Sequence, residues 1–386
     1  MRKSLLAVLT LLAAAVAGLA QSGQKTEPAK PVPASTAKTE GAAKPGVKTA
    51  EQQFKNIQAL KGVPADQIIP AMQYFNASLG VECNFCHVRE QQQLAPDKDD
   101  KEEKRTARQM IAMTQAINQN HFKGQPEVGC ATCHSGLSRP RSAPPLVEEK
   151  PKPPQFKTAR GQQLPSVEEI AQAYEKAIGG KEAIQKLSSR SAKASVTTAQ
   201  GQTLHIEAMQ KAPDKALSVV TFPNGQVREQ GFNGVSGWTK TNRGVNEAGG
   251  EELAGLKISA RFFRDLTPVA VLANARVLGT DVVDGHDCYV IRGQYPETDF
   301  SERLYFDKQS GMLLRRATVQ RTLFGPLVDT TDFSDYKDVQ GVKVAFTTKR
   351  TTAENVLTRK LESVEFNQVV DDAKFARPVV QGGATR

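Results

Sequence analysis

Two copies of a C-x-x-C-H motif constrain this chain more than any other feature. They are CNFCH at residues 83–87 and CATCH at residues 130–134. A C-x-x-C pair by itself is compatible with a zinc site, a redox disulfide or a haem attachment site. The chain has only 5 histidines in 386 residues, so a histidine would follow both pairs by chance in roughly 1 of 6,000 random sequences. The histidines therefore have to be part of the explanation.

The zinc and redox alternatives leave these histidines unexplained. The two pairs are 43 residues apart, whereas zinc ribbons usually separate them by about 15 to 20 residues, and no βαβ pattern of a thioredoxin-like motif surrounds either pair. Two thiols at this spacing can add to the two vinyl groups on one edge of a porphyrin, and the next residue is then directed at the iron. The spacing predicts two covalently bound haem c groups. The predicted thioether residues are Cys83, Cys86, Cys130 and Cys133, and the predicted proximal iron ligands are His87 and His134.

The N-terminus predicts export. Residues 1–20 (MRKSLLAVLTLLAAAVAGLA) run from basic through apolar to small side chains, the order of a secretory signal peptide. The alternative is an uncleaved anchor, but the apolar part, residues 5–19, is short for a membrane span of about 20 residues. We therefore expect a periplasmic or otherwise exported protein, with membrane association as an option. The net charge of +10 is dispersed along the chain. The sequence has no basic stripe with interleaved aromatics, so it does not predict nucleic-acid binding.

Changes in composition predict the domain organisation. Residues 21–50 are rich in Pro, Ala and Lys and predict a disordered tether, and residues 142–165 predict a Pro-rich linker. Residues 51–141 hold four of the five cysteines and have helical periodicity, whereas residues 166–386 alternate like strands. The predicted fold class is multidomain α + β, with a helical diheme cytochrome c domain followed by a mostly antiparallel β half-barrel with one or two helices.

A methionine-bearing helix is predicted before each motif. In the first, Ile69, Met72 and Leu79 recur at helical spacing and Gly80 is a natural stop. The second predicted helix is DDKEEKRTARQMIAMTQAINQNHF, with an apolar stripe of Ala107, Met110, Met113 or Thr114, and Ile117. Each iron needs a sixth ligand, and the spacing alone does not choose between Met110 and Met113. His121 is interpreted as an exposed residue at a helix end.

Three segments carry a resemblance to a known family. Roughly residues 52–141 resemble the cytochrome c subunit of photosynthetic reaction centres, a tetrahaem family. The segments that carry the resemblance are LGVECNFCH, TARQMIAMTQAINQNHF and CATCHSG. The resemblance implies that Met72 and Met110 are the distal iron ligands, since that family uses a methionine on the helix before a haem motif. His121 does not match the family's histidine ligand. Because this chain has two motifs instead of four, the expected partners are envelope redox proteins or membrane electron-transfer complexes, and not specifically a reaction centre.

The C-terminal part combines helix and strand signals. Ser166 and Glu169 form a capping-box pattern ahead of an apolar face of Ile170, Tyr174 and Ile178. Six alternating segments separated by turn signals then predict an antiparallel sheet, and RFFRDLTPVAVLANA predicts another helix. The segments AIGGKEAIQKL, LYFDKQSGMLLRR and DYKDVQGVKVAFTTKR resemble outer-membrane lipoprotein carriers of the LolA type. That resemblance implies an open half-barrel able to shelter a lipid or acyl chain; a docking module without a ligand is the alternative.

Together these observations predict an exported diheme electron carrier and not an enzyme. One alternative is a diheme peroxidase or oxidase, in which one iron lacks a protein sixth ligand. Another is a lipid or lipoprotein carrier whose haem domain reports the redox state. The remaining singular residues are interpreted as structural: His205, His286, Cys288 and Trp238.

Overall fold

The computed structural model of the protein describes most of the chain beyond its N-terminal region. The predicted signal peptide, nearly all of the predicted tether and most of the predicted linker lie outside the described residues. The described residues are 48–91, 93–143, 157–158, 161, 163–242, 244–296, 298, 300–352 and 355–379.

The region around the two motifs is built from helices and one short hairpin. In chain order the elements are α1 (Ala50–Gln53), α2 (Ile68–Leu79), α3 (Cys83–Cys86), β1 (Val88–Glu90), β2 (Gln93–Ala95), α4 (Glu102–His121) and α5 (Cys130–His134). Pro70 lies in the first turn of α2, where its missing N–H is tolerated. The helix ends at Gly80, which has a left-handed φ of 65°. Both predicted long helices are thus present, and each precedes a C-x-x-C-H motif.

The faces that these helices bury differ from the predicted stripes. Helix α2 buries Ala71, Tyr74 and Ser78, whereas Ile69 is 56% exposed. Helix α4 buries Ile111, together with Lys104 and Thr114, and leaves Met113 45% exposed. Each predicted stripe thus contains an exposed position, Ile69 in α2 and Met113 in α4, whereas Thr114, the predicted alternative to Met113, is buried. The methionines lie beside the protein core and not within it.

The C-terminal region is dominated by one antiparallel sheet. Its strands are β3 (Lys157–Thr158), β4 (Ser189–Thr198), β5 (Thr203–Lys211), β6 (Lys215–Thr221), β7 (Val227–Asn233), β8 (Gly237–Thr241), β9 (Gly244–Glu247), β10 (Ala273–Val283), β11 (His286–Gln294), β12 (Phe300–Asp307), β13 (Leu313–Thr322), β14 (Gly325–Val339), β15 (Val342–Thr351) and β16 (Val356–Phe366). Its helices are α6 (Val167–Ile178), α7 (Lys181–Gln185) and α8 (Gly250–Ala260). The six predicted strand segments all fall on strands.

Neighbouring strands in space are almost always neighbours in sequence. Within the described residues the order is β3-β10-β11-β12-β13-β14-β15-β16-β4-β5-β6-β7-β8-β9. The pairing of β16 with β4, in which Leu361 lies opposite Ala194, joins the two halves of the sheet. In this order the first and last strands do not pair, so the sheet is open, which is consistent with the predicted half-barrel.

One face of the sheet is covered by α6 and α7. The side-chain oxygen of Ser166 accepts a hydrogen bond from the backbone N–H of Glu169 at 3.2 Å, which confirms the predicted capping box. Ile170, Tyr174 and Ile178 are buried in the main core, as predicted, against strand residues of β11 to β16. The apolar face of α6 therefore places this helix inside the curved sheet.

The predicted helix over RFFRDLTPVAVLANA is wrong. Only Phe262–Arg264 forms a short 3₁₀ turn, directly after α8. Two ion pairs tie the segment to the sheet: Arg264 to Glu302 at 2.6 Å and Asp265 to Arg316 at 2.9 Å. These contacts tie the segment to the sheet, and we call residues 261–272 the strap. Pro268 also opposes a helix here, because proline disfavours helical backbone in the residue before it.

The sheet and the helical region meet at the tip of the β13–β14 hairpin. Phe324 is 5% exposed and belongs to the small core that also contains Tyr74 and Ile111. Its ring packs edge-on against Phe75, with the ring centroids 4.9 Å apart. The domain boundaries proposed from composition remain predictions, and this contact crosses them. Among the described residues, none of the helices is both long and apolar enough to traverse a membrane.

Candidate haem-binding site

The first motif forms a single helical turn. In α3 the backbone N–H of His87 donates to the carbonyl of Cys83 at 3.0 Å, and Cys83 is exposed whereas Cys86 is half-buried. Burial, followed by the charge of Glu103, raises the pKa of the Cys86 thiol. Burial and then the nearby charge of Lys104 lower the pKa of His87. A neutral imidazole has the lone pair that an iron ligand requires.

The second motif is a slightly longer turn. Helix α5 ends at Ser135, which has a left-handed φ of 50°. The Nδ1 atom of His134 lies 2.8 Å from the carbonyl oxygen of Leu137. Because a carbonyl only accepts hydrogen bonds, this contact assigns the proton of a neutral ring to Nδ1 and leaves Nε2 for a metal. Burial raises the pKa of the Cys130 thiol, and Cys133 is exposed.

Helix α2 lies between the two motifs. The side-chain amide of Asn76 contacts the sulfur of Cys83 at 3.4 Å, and Met72 is one helical turn before Asn76 on the same face. On another side of α2, the carbonyl of Ser78 accepts a hydrogen bond from the backbone N–H of Gly136 at 2.8 Å. Helix α2 therefore contacts the first motif through Asn76 and the loop after the second motif through Ser78.

Helix α4 also reaches both motifs. Just before its first turn, the ammonium of Lys101 donates to the carbonyls of Asn84 and Phe85 in the first motif. Near its last turn, the side-chain amide of Asn118 brackets Val128, donating to its carbonyl at 2.8 Å and accepting from its N–H at 2.9 Å. This bracket fixes the segment that leads into Cys130. The two motifs are thus held in one small framework.

The residues present fit haem. The four motif cysteines are free thiols, and a buried, unpartnered Nδ1 on His87 marks a second imidazole that is held inside the protein. Met72 is half-buried and packs against the same small apolar core as Cys130, and Ile69 of the same helix is 56% exposed. Donor atoms and apolar surface therefore occur together, as a porphyrin requires.

The other candidate ligands differ in burial. Met110 is half-buried, and its carbonyl accepts a hydrogen bond from the Thr114 hydroxyl at 2.9 Å. Met113 is 45% exposed, and His121 is the exposed last residue of α4. In the part of the chain that the structure describes, no three or more His, Cys, Asp or Glu side chains are grouped to hold a metal ion. The two C-x-x-C pairs therefore do not converge into a four-cysteine cluster.

The hairpin tip beside the second motif could not be foreseen from the sequence. A Cβ placed on Gly129, the residue before Cys130, would lie 2.3 Å from the carbonyl oxygen of Phe324 and 2.4 Å from the hydroxyl of Tyr74. Only glycine fits so close an approach. Phe324 and Cys130 belong to the same apolar cluster. A residue nearly 200 positions away thus forms part of the surroundings of the second motif, and no local motif marks it.

The sheet has a separate cavity on its covered face. Its volume is about 210 Å³, and it lies between the inward faces of β16, β4 and β5 and the strap that contains Asp265 and Leu266. Small side chains at Ala192 and Ala208 contribute to the open space, and Arg359 lines the same cavity. The cavity is therefore apolar in part and carries charged groups.

The singular residues of the C-terminal region have mixed surroundings. Trp238 is 1% exposed, and its indole N–H donates to the carbonyl of Phe375 at 3.1 Å, so it is a core residue. Cys288 is fully buried. The two histidines are exposed and each lies near one carboxylate: His205 4.0 Å from Glu362 and His286 3.7 Å from Asp307.

Residues 16–196 match the family of the photosynthetic reaction centre cytochrome C subunit. This range contains both C-x-x-C-H motifs and is just under half of the chain. The resemblance predicted for the N-terminal half is confirmed, and the match extends beyond the segments that suggested it. The family match implies haem binding and a cytochrome-like role in electron transfer. No curated protein has significant sequence similarity to this chain.

Solved structures that are similar to about half of this chain, at low sequence identity, include a LolA superfamily protein. A LolA superfamily protein from Nitrosomonas europaea is 12% identical, with a TM-score of 0.40, over 55% of this chain and 99% of that one. A domain named for outer membrane lipoprotein sorting, from Vibrio parahaemolyticus, is 15% identical, with a TM-score of 0.39, over 54% and 94%. A DUF1329 family protein from Desulfovibrio piger is 16% identical, with a TM-score of 0.38, over 54% and 97%.

Proposed function

We propose that this protein is an exported diheme c-type cytochrome that carries electrons in the cell envelope. The observation that carries the proposal is the pair of C-x-x-C-H turns with free thiols, at residues 83–87 and 130–134. Haem, when bound, supplies one-electron redox chemistry at its iron. The predicted signal peptide supports export, and the expected partners are envelope redox proteins or membrane electron-transfer complexes.

The side chains have distinct proposed roles. Cys83 and Cys86 would hold one haem and Cys130 and Cys133 the other, through thioether bonds. His87 and His134 would be the proximal ligands, and the hydrogen bond from His134 to Leu137 supports this by fixing its ring. The proposed distal ligands are Met72 and Met110. Met72 is supported by its place one turn from the residue that contacts Cys83.

Methionine ligation favours electron transfer over peroxide chemistry. An iron with two protein ligands that stay in place reorganises little when its charge changes, and a thioether ligand raises its potential. A peroxidase or oxidase would instead need one iron with a displaceable position. One methionine for each motif leaves neither position open, so we assign the carrier role and keep the peroxidase as the competing function.

A mass measurement tests the attachment. The purified, exported protein should be heavier than its mature polypeptide by two haems, and the added mass should survive acid extraction because thioether bonds are covalent. The double variant Cys83→Ala/Cys86→Ala should lose one haem and keep the other. The double variant Cys130→Ala/Cys133→Ala is the matched control and should lose the second haem instead. A polypeptide without covalent haem, or with stoichiometric zinc, would disprove the proposal.

For the β domain we propose binding of a hydrophobic ligand. The supporting observation is the cavity of about 210 Å³ on the covered face of the sheet, whose walls include Leu266 and Phe333. A partly apolar cavity with a few polar groups is a candidate ligand site. A docking module with no ligand is the competing function, and it predicts that nothing apolar enters this space.

A further inference from the structure

The walls of the β-domain cavity favour a ligand with a single narrow chain. The neighbouring strands β16, β4 and β5 each place one side chain in direct register with the next: Leu361, Ala194 and Ile206. All three line the cavity, with Ala192 and Ala208 adding room on the same face. The volume of about 210 Å³ is below the roughly 300–1,000 Å³ of pockets that take drug-sized molecules. It suits one acyl chain and not a lipid with two or three.

The same walls carry more positive than negative charge. Three basic residues line the cavity, Arg190, Lys343 and Arg359, against one lining carboxylate, that of Asp265. That carboxylate is already in an ion pair with Arg316 at 2.9 Å, whereas Arg190 approaches it only to 3.9 Å. The cavity therefore has an excess of positive charge next to its apolar floor.

Arg359 is the group that lacks a partner. Its Nε atom is buried and makes no hydrogen bond. Burial lowers the pKa of Arg359, and the positive charges of Arg190 and Arg316 lower it further against the opposing effect of Asp265. A buried guanidinium nitrogen without a hydrogen-bond partner is energetically unfavourable. An anion that enters the cavity would supply the missing hydrogen-bond partner.

We infer that the cavity binds a single-chain amphiphile with an anionic head, which Arg359 holds while the acyl chain lies along the alanine-lined floor. The guanidinium fork can donate two parallel hydrogen bonds to a carboxylate or a phosphate. Both heads offer the same chemistry, an oxyanion on one acyl chain. The inference rests on the proposed ligand-binding role of the β domain and adds the chemical class of the ligand.

Calorimetric titration of the full, haem-loaded and delipidated protein tests the inference. The probes are decanoate, decyl phosphate and 1-decanol, with acetate and inorganic phosphate as heads without a chain. We expect the anionic amphiphiles to bind more tightly than 1-decanol and the bare heads to bind weakly. Arg359→Gln should weaken the anionic amphiphiles by about tenfold to a hundredfold, the value of a hydrogen bond to a charged group. Its affinity for 1-decanol should not change. Comparing decanoate with decyl phosphate distinguishes the two head chemistries.

Matched variants separate the possible results. Lys360→Gln removes the same charge from the adjacent exposed position of β16 and should leave all affinities unchanged. Ala208→Leu fills the cavity and should weaken decanoate and 1-decanol alike. Equal affinity for decanoate and 1-decanol, or no effect of Arg359→Gln in a folded protein, would overturn the inference and leave the hydrophobic-ligand role intact. If no amphiphile binds, both the inference and the ligand-binding role fail.

Discussion

At the scale of single residues, Glu302 is a buried carboxylate in the sheet that requires charged partners. It is fully buried and lies between two arginines, 2.6 Å from Arg264 and 3.2 Å from Arg316. Burial alone would raise the pKa of Glu302, but the charges of Arg316 and Arg264 outweigh it and lower the pKa. A charge buried this deeply is tolerable only because it is paired. The arrangement holds the strap over the cavity.

Removing that charge should destabilise the fold strongly. Glu302→Gln removes the buried carboxylate that Arg264 and the buried Arg316 share, and breaking a buried ion pair typically costs about 3–5 kcal/mol in the free energy of unfolding. Glu362→Gln removes an exposed carboxylate near His205 and should cost about 0–1 kcal/mol. Urea unfolding followed by circular dichroism measures both. Equal effects of the two substitutions would contradict the role assigned to the buried network.

A second residue gives a dependence on pH. Asp372 accepts hydrogen bonds from Lys211 at 2.8 Å and Lys215 at 2.6 Å, and these, Lys211 first, lower its pKa from 3.8 to about 2. Because the folded-state pKa is the lower one, the contribution to stability is present above pH 3.8 and is lost as the pH falls towards 2.

The corresponding variant should show a stability gap that closes in acid. Asp372→Asn should unfold at lower urea concentration than the unmodified protein at pH 7. The difference should narrow as the pH falls from about 4 towards 2, because the unmodified side chain becomes protonated there. Urea titrations at several pH values measure it. A difference that stays constant down to that range would show that the ion pair is not its cause.

At the scale of elements, the β13–β14 hairpin joins the two parts of the molecule. Phe324→Ala removes a buried ring from the core shared with Phe75 and Tyr74, which typically costs about 3–5 kcal/mol. Water should then reach the second motif and lower the potential of one haem more than the other, since a hydrophobic shell helps to set the potential. Val328→Ala, at a 47% exposed position of β14, is the control. Thermal unfolding and a redox titration measure the two effects, and an unchanged potential would contradict the inference that Phe324 shields the second motif from water.

Local signals predicted most of the elements, and tertiary contacts explain those they missed. The capping box at Ser166 and the six alternating segments describe local backbone chemistry, so they were right. The helix predicted over 261–275 was wrong because the segment forms a short 3₁₀ helix and separate turns, which the ion pairs of Arg264 and Asp265 tie to the sheet. Helix α8 was not predicted, since only Ile258 and Ala260 of it are buried and no clear stripe results. Phe324 gives no local sign of its contact with the helical region.

At the scale of the whole molecule, a framework with two haem motifs adjoins a sheet with a separate cavity. The attachment residues could be predicted from the sequence because a rigid porphyrin edge requires a fixed spacing of the residues that bind it. Spacing alone does not choose between Met110 and Met113 as a distal ligand, since they are only three residues apart on α4. A periodicity argument equates an apolar stripe with the protein core, so it could not show that Ile69 of α2 and Met113 of α4 are exposed.

The most direct test of the electron-carrier function is the exposure of the fully reduced, purified protein to carbon monoxide, followed by visible absorption. If Met72 and Met110 each hold one iron, the unmodified protein should not bind carbon monoxide and should not turn over peroxide. Met72→Ala and Met110→Ala should each admit one carbon monoxide, whereas Met113→Ala should admit none and cost only packing. Rapid carbon monoxide binding by the unmodified protein would contradict the account and favour the diheme peroxidase.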